Sequence, residues 1–207
     1  MQFCRAFSSI VLLTTGLGMA RAQSVGLVMS GGGAAGMAHI GVMQALEENG
    51  IPIDHIAGSS MGALVGAMYA SGLSPWEIDS VFRTEQFGIM ANGGVEPRHQ
   101  YFFKQEYPDA SLISLRFDLD TTLQTSLPTN IRSPALLDFE QMRSFSPVSA
   151  ATGYDMDSLF VPYRCVASDL TAQRSVVFRK GDLAQAVRAS MSYPFYFKPI
   201  RVDGHLM

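Results

Sequence analysis

One serine, Ser60, lies midway between two glycines, Gly58 and Gly62, where a short apolar stretch gives way to a run of small residues. A G-x-S-x-G spacing is typical of a nucleophilic serine on a sharp, strained turn between a strand and a helix. The N-terminus of that helix offers N–H groups and partial positive charge to a developing oxyanion. Small-residue turns are common, so the motif alone leaves open whether Ser60 is a nucleophile or an ordinary turn residue. Ser59 is the neighbouring alternative, although it is not at the centre of the pattern.

A second glycine-rich turn precedes this one, and it fits the pattern G-x-G-x-x-G with Gly31, Gly32, Gly33 and Gly36. One interpretation is a nucleotide-binding fingerprint, with a pyrophosphate at the N-terminus of the following helix. Asp54 lies near the position where such a site places its ribose-binding acid. The other interpretation is an oxyanion hole facing Ser60, because successive glycines present backbone N–H groups without obstructing side chains. The serine turn that follows favours the second interpretation.

The elements around both turns predict how they are positioned. Residues 24–30 are apolar and read as a strand, and residues 37–50 read as a helix that ends at Gly50. Residues 51–57 predict a second strand, and residues 63–72 predict a helix closed by Gly72. This order indicates an α/β fold with a mainly parallel sheet. Both glycine turns then lie at the carboxyl ends of neighbouring strands, where functional loops of such folds occur.

The rest of the chain is less regular. Ser74, with Pro75 and Glu77 after it, predicts a capped helix start. Residues 84–157 are interrupted by prolines and polar residues, with a strand predicted near residues 112–117 and one or two short helices near 135–145. This segment is either a lid over the site or a scaffold insertion.

Regular structure is expected again towards the C-terminus. Residues 161–170 and the segment SVVFRKG predict strands, and residues 182–192 predict a helix capped by Asp182. Asp203 and Gly204 then form a hairpin-turn signal between two short apolar segments.

Composition limits the class of protein. The 207 residues are 47% hydrophobic and 16% charged, which is typical of a folded globular domain. The net charge of −3 gives no basic footprint for nucleic acid. Residues 1–22 carry the n-region, apolar h-region and A-x-A pattern of a secretory signal peptide, so the mature domain would span residues 23–207. Cleavage would remove Cys4 and leave Cys165 as a buried core thiol.

Three segments taken together resemble the patatin-like phospholipases: residues 30–42, residues 58–72 and residues 186–207. The resemblance covers most of the chain after the signal segment and is weak over residues 84–157. It implies a three-layer α/β/α sandwich around a mainly parallel sheet, and an acyl hydrolase that uses a Ser–Asp dyad. By the same resemblance, Ser60 is the nucleophile, Gly31, Gly32 and Gly33 form the oxyanion hole, and no cofactor or metal is required.

Two departures from the family pattern bear on activity. The family's glycine loop usually carries Arg or Lys where this chain has Ala35, although the backbone donors remain. The catalytic aspartate of the family lies in an Asp-Gly-Gly or Asp-Gly-Ala turn. Asp203 matches an earlier hairpin turn of the family better than the catalytic one. The expected catalytic aspartate would then lie beyond Met207, in a domain incomplete at its C-terminus, with Asp203 as the weaker alternative.

The remaining possibility is that a histidine serves as the general base, in a Ser–Asp–His triad. Ser60, then Asp169 or Asp203, then His205 would follow the chain order of α/β-hydrolases. Those enzymes usually have more strands before the nucleophile than the two found here. His39 is expected to pack within its helix, while His55 lies in the second strand and His99 in the irregular middle segment. No group of residues has the spacing of a metal site.

The sequence therefore predicts a secreted, periplasmic or outer-membrane-associated serine acyl hydrolase that acts on phospholipid or another lipid ester at a membrane surface. By resemblance, a longer parent protein could carry an outer-membrane barrel after this domain. Without its base, the 207-residue chain is expected to have little activity. The competing hypotheses are a nucleotide-binding module that uses residues 31–36, and a catalytically inactive member of the same fold.

Overall fold

The computed structural model describes residues 24–95 and 130–207, which form a mixed four-stranded sheet with helices packed on it. The sheet has the order β1 (Gly26–Met29), β2 (His55–Ser59), β3 (Tyr163–Asp169) and β4 (Arg174–Phe178). The first three strands are parallel, and β4 runs antiparallel to β3. A two-stranded hairpin, β5 (Arg201–Val202) and β6 (His205–Leu206), follows.

In the part of the chain that the structure describes, six α-helices connect and cover these strands. They are α1 (Ala38–Glu48), α2 (Met61–Ala70), α3 (Pro75–Phe82), α4 (Glu85–Ala91), α5 (Ala135–Ala151) and α6 (Leu183–Ser190). The predicted start of α3 is confirmed, since Ser74 and Glu77 form a reciprocal capping box. Asp182 caps α6 through the N–H groups of Ala184 and Gln185, as the sequence predicts. Among the described residues, no helix is both long and apolar enough to cross a bilayer.

The core lies between one face of the sheet and the helices. Helix α2 is buried along its whole length and packs on β2, while α6 packs on β3. Met29, Ile56 and Tyr163 project from the covered face and are buried. On the other face Val28 is 80% exposed and Val177 is 49% exposed. The α/β class with a largely parallel sheet is confirmed, and the described helices form the layer on one of its faces.

Two predicted boundaries shift in the structure. The second strand begins at His55 rather than near residue 51, since Asp54 instead pairs with Val25 before the strand starts. The helical signal near residue 135 extends into a single helix through Pro147, and α5 packs against α6 with Leu137 and Phe145 in the core. This part of the segment is therefore scaffold. The predicted strand at residues 112–117 and His99 lie outside the described residues.

Candidate active site

Ser60 adopts a backbone conformation that serine rarely adopts. It follows β2 directly and is the N-cap residue of α2, with φ 52° and ψ −119°. A left-handed non-glycine residue costs about 1–3 kcal/mol and persists only where its surroundings impose it. Serine at an N-cap usually accepts a hydrogen bond from a backbone N–H of the helix, yet the Ser60 side chain makes no such bond to α2. The hydroxyl is thus held at a helix N-terminus without being used to cap it.

The two glycines of the serine turn are required by close backbone approach. A Cβ atom on Gly58 would lie 2.4 Å from the Gly62 carbonyl oxygen, and one on Gly62 would lie 2.4 Å from the Met29 carbonyl oxygen. Real Cβ atoms essentially never approach backbone so closely. The turn therefore brings the first turn of α2 against the end of β1, which places Ser60 beside the loop that follows β1.

The first glycine loop lies directly against the serine. A Cβ atom on Gly31 would be 2.9 Å from Ser60 Cβ and 3.6 Å from Ser60 Oγ, and one on Gly36 would be 2.6 Å from Met61 Cβ. Gly33 has φ +53°, which favours glycine. The loop thus spans the N-terminal end of α2, and its glycines allow it to pack directly against Ser60 and Met61.

The histidine of α1 supports this loop. His39 Nε2 lies 2.9 Å from the Ser30 carbonyl oxygen, so the Nε2–H tautomer donates a hydrogen bond to the residue just before Gly31. The sequence predicted a histidine packed within its helix. The structure instead shows that His39 ties the helix to the start of the glycine loop.

Asp54 has a structural partner in place of a ribose. Its Oδ2 accepts a hydrogen bond from the Val25 N–H at 2.7 Å, and its own N–H donates to the Val25 carbonyl. In addition, the last two glycines of the loop lie within a 3-10 turn, Gly33–Met37, that precedes α1. Both features weaken the nucleotide-binding interpretation of residues 31–36.

Ser190 supports the backbone of the serine turn, a role that the sequence analysis did not assign. Its Oγ accepts a hydrogen bond from the Ser60 N–H at 2.7 Å and donates one to the Val166 carbonyl at 2.6 Å. Val166 lies opposite Ser59 in the parallel β2–β3 register. One hydroxyl at the end of α6 therefore joins the serine turn to the neighbouring strand. The only sequence signal was its position in the C-terminal segment that resembles the family.

The candidate carboxylates lie in or beside the hairpin. Asp203 and Gly204 have φ +50° and +82° at the tip between β5 and β6, which matches the turn predicted for them. Asp203 is exposed at this tip. Asp169, at the end of β3, is buried and lies with Oδ2 3.0 Å from His205 Nδ1. The hydrogen bonds that Asp169 accepts from the Ala172 and Thr171 N–H groups, with His205 nearby, lower the pKa of its carboxyl despite burial.

The Asp169–His205 pair has an evident structural role. It joins the hairpin to the end of β3, where the Leu170 N–H also donates to the Leu206 carbonyl. The structure thus brings together two members of the alternative triad, and it employs both to attach the hairpin to the sheet.

Two further predictions concern cysteine and metals. Cys165 is fully buried, as predicted, and burial raises the pKa of its thiol to about 12. Within residues 24–95 and 130–207, no three His, Cys, Asp or Glu side chains are grouped so that they could hold a metal ion.

Comparison with known proteins identifies relatives of this chain. Residues 27–207 match the family model of the patatin-like phospholipases. Over 184 residues the chain is 35% identical to an uncharacterized NTE family protein of Mycobacterium tuberculosis, covering 88% of this chain and 41% of that protein. Over 187 residues it is 32% identical to the neuropathy target esterase sws of Drosophila persimilis, covering 89% of this chain and 11% of that protein.

A solved structure shares the fold at low sequence identity. VipD from Legionella pneumophila superposes with a TM-score of 0.53 at 13% identity, covering 89% of this chain and 45% of that one. The likeness supports the α/β architecture alone. The chain also spans less than half the length of each of these relatives.

Proposed function

The chain belongs to the patatin-like phospholipase family, and from this premise we propose that it is a serine acyl hydrolase acting on phospholipid or another lipid ester. One observation carries the proposal. Ser60 is held in a strained conformation at the N-terminus of α2, with its hydroxyl unused as a cap and Gly31 packed against it. An ordinary turn has no need of this arrangement, whereas a nucleophile facing an oxyanion hole requires it.

In the proposed reaction, Ser60 Oγ attacks the ester carbonyl carbon while a carboxylate takes the hydroxyl proton. The carbonyl oxygen becomes an oxyanion between the N–H groups of Gly31, Gly32 and Gly33 and the N-terminus of α2. One such donor typically contributes about 10²–10³ in rate. The tetrahedral intermediate expels the alcohol, which takes up the proton from the carboxylic acid. A water molecule deprotonated by the same carboxylate then releases the fatty acid and regenerates Ser60.

We propose that an aspartate acts as the general base. The first candidate is the aspartate of the Asp-Gly turn that the family resemblance places after Met207, and the second is Asp203. The type of turn at Asp203 supports this order, because positive φ at two successive residues is what a tight hairpin demands. The absence of a charged side chain at Ala35 leaves the backbone donors in place.

We also propose that the protein acts outside the cytoplasm. The signal-like residues 1–22 support action outside the cytoplasm, in the periplasm, at the outer membrane or after secretion. A lipid substrate implies that the protein works at a membrane surface.

The direct test is covalent labelling with a fluorophosphonate probe, which phosphonylates an activated serine. We expect labelling of the wild-type protein that is lost in Ser60→Ala and retained in the matched variant Ser59→Ala. A chain extended past Met207 by the codons that follow it in the gene should label faster. If a nucleotide titration instead perturbs residues 31–36 and no serine labels in either form, the hydrolase assignment is wrong.

A further inference from the structure

An apolar cavity of about 330 Å³ lies between α2, α3, α4 and α5. Its walls are mainly large hydrophobic side chains: Leu64, Met68, Phe87, Met90, Leu137 and Phe145. Glu140 and Arg143, which border it, form an ion pair with each other at 2.6 Å. The interior thus presents hydrocarbon, and the charges at its border neutralise each other.

The cavity begins one helical turn from the nucleophile. Residues 60, 64, 68 and 71 follow the helical spacing that places side chains on one face of α2. Leu64, Met68 and Ser71 line the cavity, and the Leu64 N–H donates to the Ser60 carbonyl. At about 1.5 Å per residue, Ser71 lies roughly 16 Å along the helix from Ser60. The cavity wall is therefore a continuation of the helix face that starts at Ser60.

A second connection reaches the cavity from the other side of the serine turn. Gln141 borders the cavity, is 4% exposed and donates through Nε2 to the Met191 sulfur at 3.2 Å. Met191 directly follows Ser190, the residue that binds the Ser60 N–H. Two sets of contacts thus connect the wall of the cavity to the serine turn, through Leu64 on one side and through Gln141 and Met191 on the other.

We propose that this cavity is the binding site for the acyl chain of the ester, and that its size makes the protein selective for medium-length chains. The inference rests on the proposed function, because it assigns the hydrocarbon bound there to the substrate of Ser60. A methylene group is similar in size to a water molecule, which occupies about 30 Å³ in the liquid, so the cavity holds about ten carbons. Longer chains extend past the border into solvent and gain little further contact.

The test is direct binding, which needs no turnover. A fluorescent fatty acid bound to the protein is displaced by straight-chain saturated fatty acids of six to sixteen carbons, each below its micelle-forming concentration. Affinity is expected to rise about three- to fourfold per methylene up to about ten to twelve carbons, and then to level off.

Variants locate the binding site. Ser71→Phe fills the end of the cavity far from Ser60 and is expected to move the plateau to chains a few carbons shorter, with the affinity for hexanoate little changed. Ser80→Phe is the matched control, because both serines donate to the carbonyl four residues earlier, but Ser80 is exposed on α3. If Ser71→Phe fails to fold, Ser144→Phe on the exposed border of the same cavity replaces it.

The outcomes separate this inference from the proposed function. A plateau that moves in Ser71→Phe and not in Ser80→Phe supports the acyl-chain site. Absence of fatty-acid binding, or a plateau that no cavity variant moves, overturns it, even if fluorophosphonate labels Ser60. Where Ser60 does label, a decyl phosphonate on it should block fatty-acid binding and a methyl phosphonate should not. Equal blocking by both, or by neither, overturns the claim that cavity and nucleophile form one site.

Discussion

Replacing Ser190 with alanine tests whether the serine turn depends on support from α6. The change removes a hydroxyl that accepts from the Ser60 N–H at 2.7 Å and donates to the Val166 carbonyl at 2.6 Å. Both backbone groups lose their partner in a half-buried position, which costs about 1–3 kcal/mol of the free energy of unfolding. For a chain of this size, each 1 kcal/mol lowers Tm by about 2–4 °C. We therefore expect a decrease in Tm of roughly 2–12 °C.

The same change should also lower the rate at which Ser60 reacts. The Ser190 bond holds the backbone of a residue at φ 52°, and displacement of a reacting atom by about 1 Å can reduce rate by about 10²-fold. We expect the rate of fluorophosphonate labelling, measured well below both Tm values, to fall about tenfold or more. Ser190→Thr keeps a hydroxyl and should recover most of the rate.

Ser192→Ala is the matched control for this experiment. Ser192 lies two residues further on, and its hydroxyl accepts from the Arg188 guanidinium and donates to the Arg188 carbonyl. Its removal should lower Tm by a similar amount and leave the labelling rate of Ser60 unchanged. Equal labelling of Ser190→Ala and wild-type protein, or an equal loss in both variants, would refute the argument that Ser190 positions the nucleophile.

Three further predictions concern stability and reactivity away from Ser190. Gly62→Ala should destabilise the fold by about 1–3 kcal/mol or more in urea unfolding, because the added Cβ would lie 2.4 Å from the Met29 carbonyl oxygen of β1. Gly41→Ala is the control: the added Cβ on α1 would have no atom within 4 Å, and the change should stabilise the fold by about 0.5–1 kcal/mol. The folded-state pKa of Asp169 is lowered by backbone N–H bonds, so its stabilising contribution should be complete above about pH 4 and fall as the pH drops through its folded pKa. Asp169→Asn should accordingly flatten that acid limb of the stability profile. Cys165, in a Cys4→Ser background, should react with a thiol reagent at pH 8 only on unfolding, because burial raises its pKa to about 12.

Local pattern predicted the elements of the site because their causes are local. Glycine spacing around Ser60, the capping box at Ser74 and the hairpin signal at Asp203 each depend on residues close in sequence, and each is confirmed in position by the structure. The start of β2 was misplaced because Asp54 turns its side chain and backbone to Val25, a partner far back along the chain. The alternation of apolar residues in 51–54 does not predict that hydrogen bond.

The supports of the site could not be predicted because they join residues that are remote in sequence. The Ser60 N–H bonds to a hydroxyl 130 positions later, and Gln141 reaches a sulfur 50 positions away. Neither Ser190 nor Gln141 belongs to a motif with chemical meaning by itself. Their roles arise only when β3 and α6 have packed beside β2, since that packing decides which hydroxyl meets the strained turn.

Close packing of α2 against the parallel strands explains how this site holds the glycine loop against the nucleophile. Gly58 pairs with Met29 in the β1–β2 register, and Gly62 meets the Met29 carbonyl, so α2 approaches the sheet more closely than any side chain at either position would allow. That approach forces the chain to turn sharply at Ser60 and presses Gly31 against it. A larger residue at Gly58 or Gly62 would push α2 away from the sheet and so separate Ser60 from the glycine loop, although it would change none of the reacting groups. The backbone conformation of Ser60 is thus a consequence of how closely α2 packs on the sheet. Variants at Gly58 or Gly62 should therefore lose activity to the extent that they lose this packing.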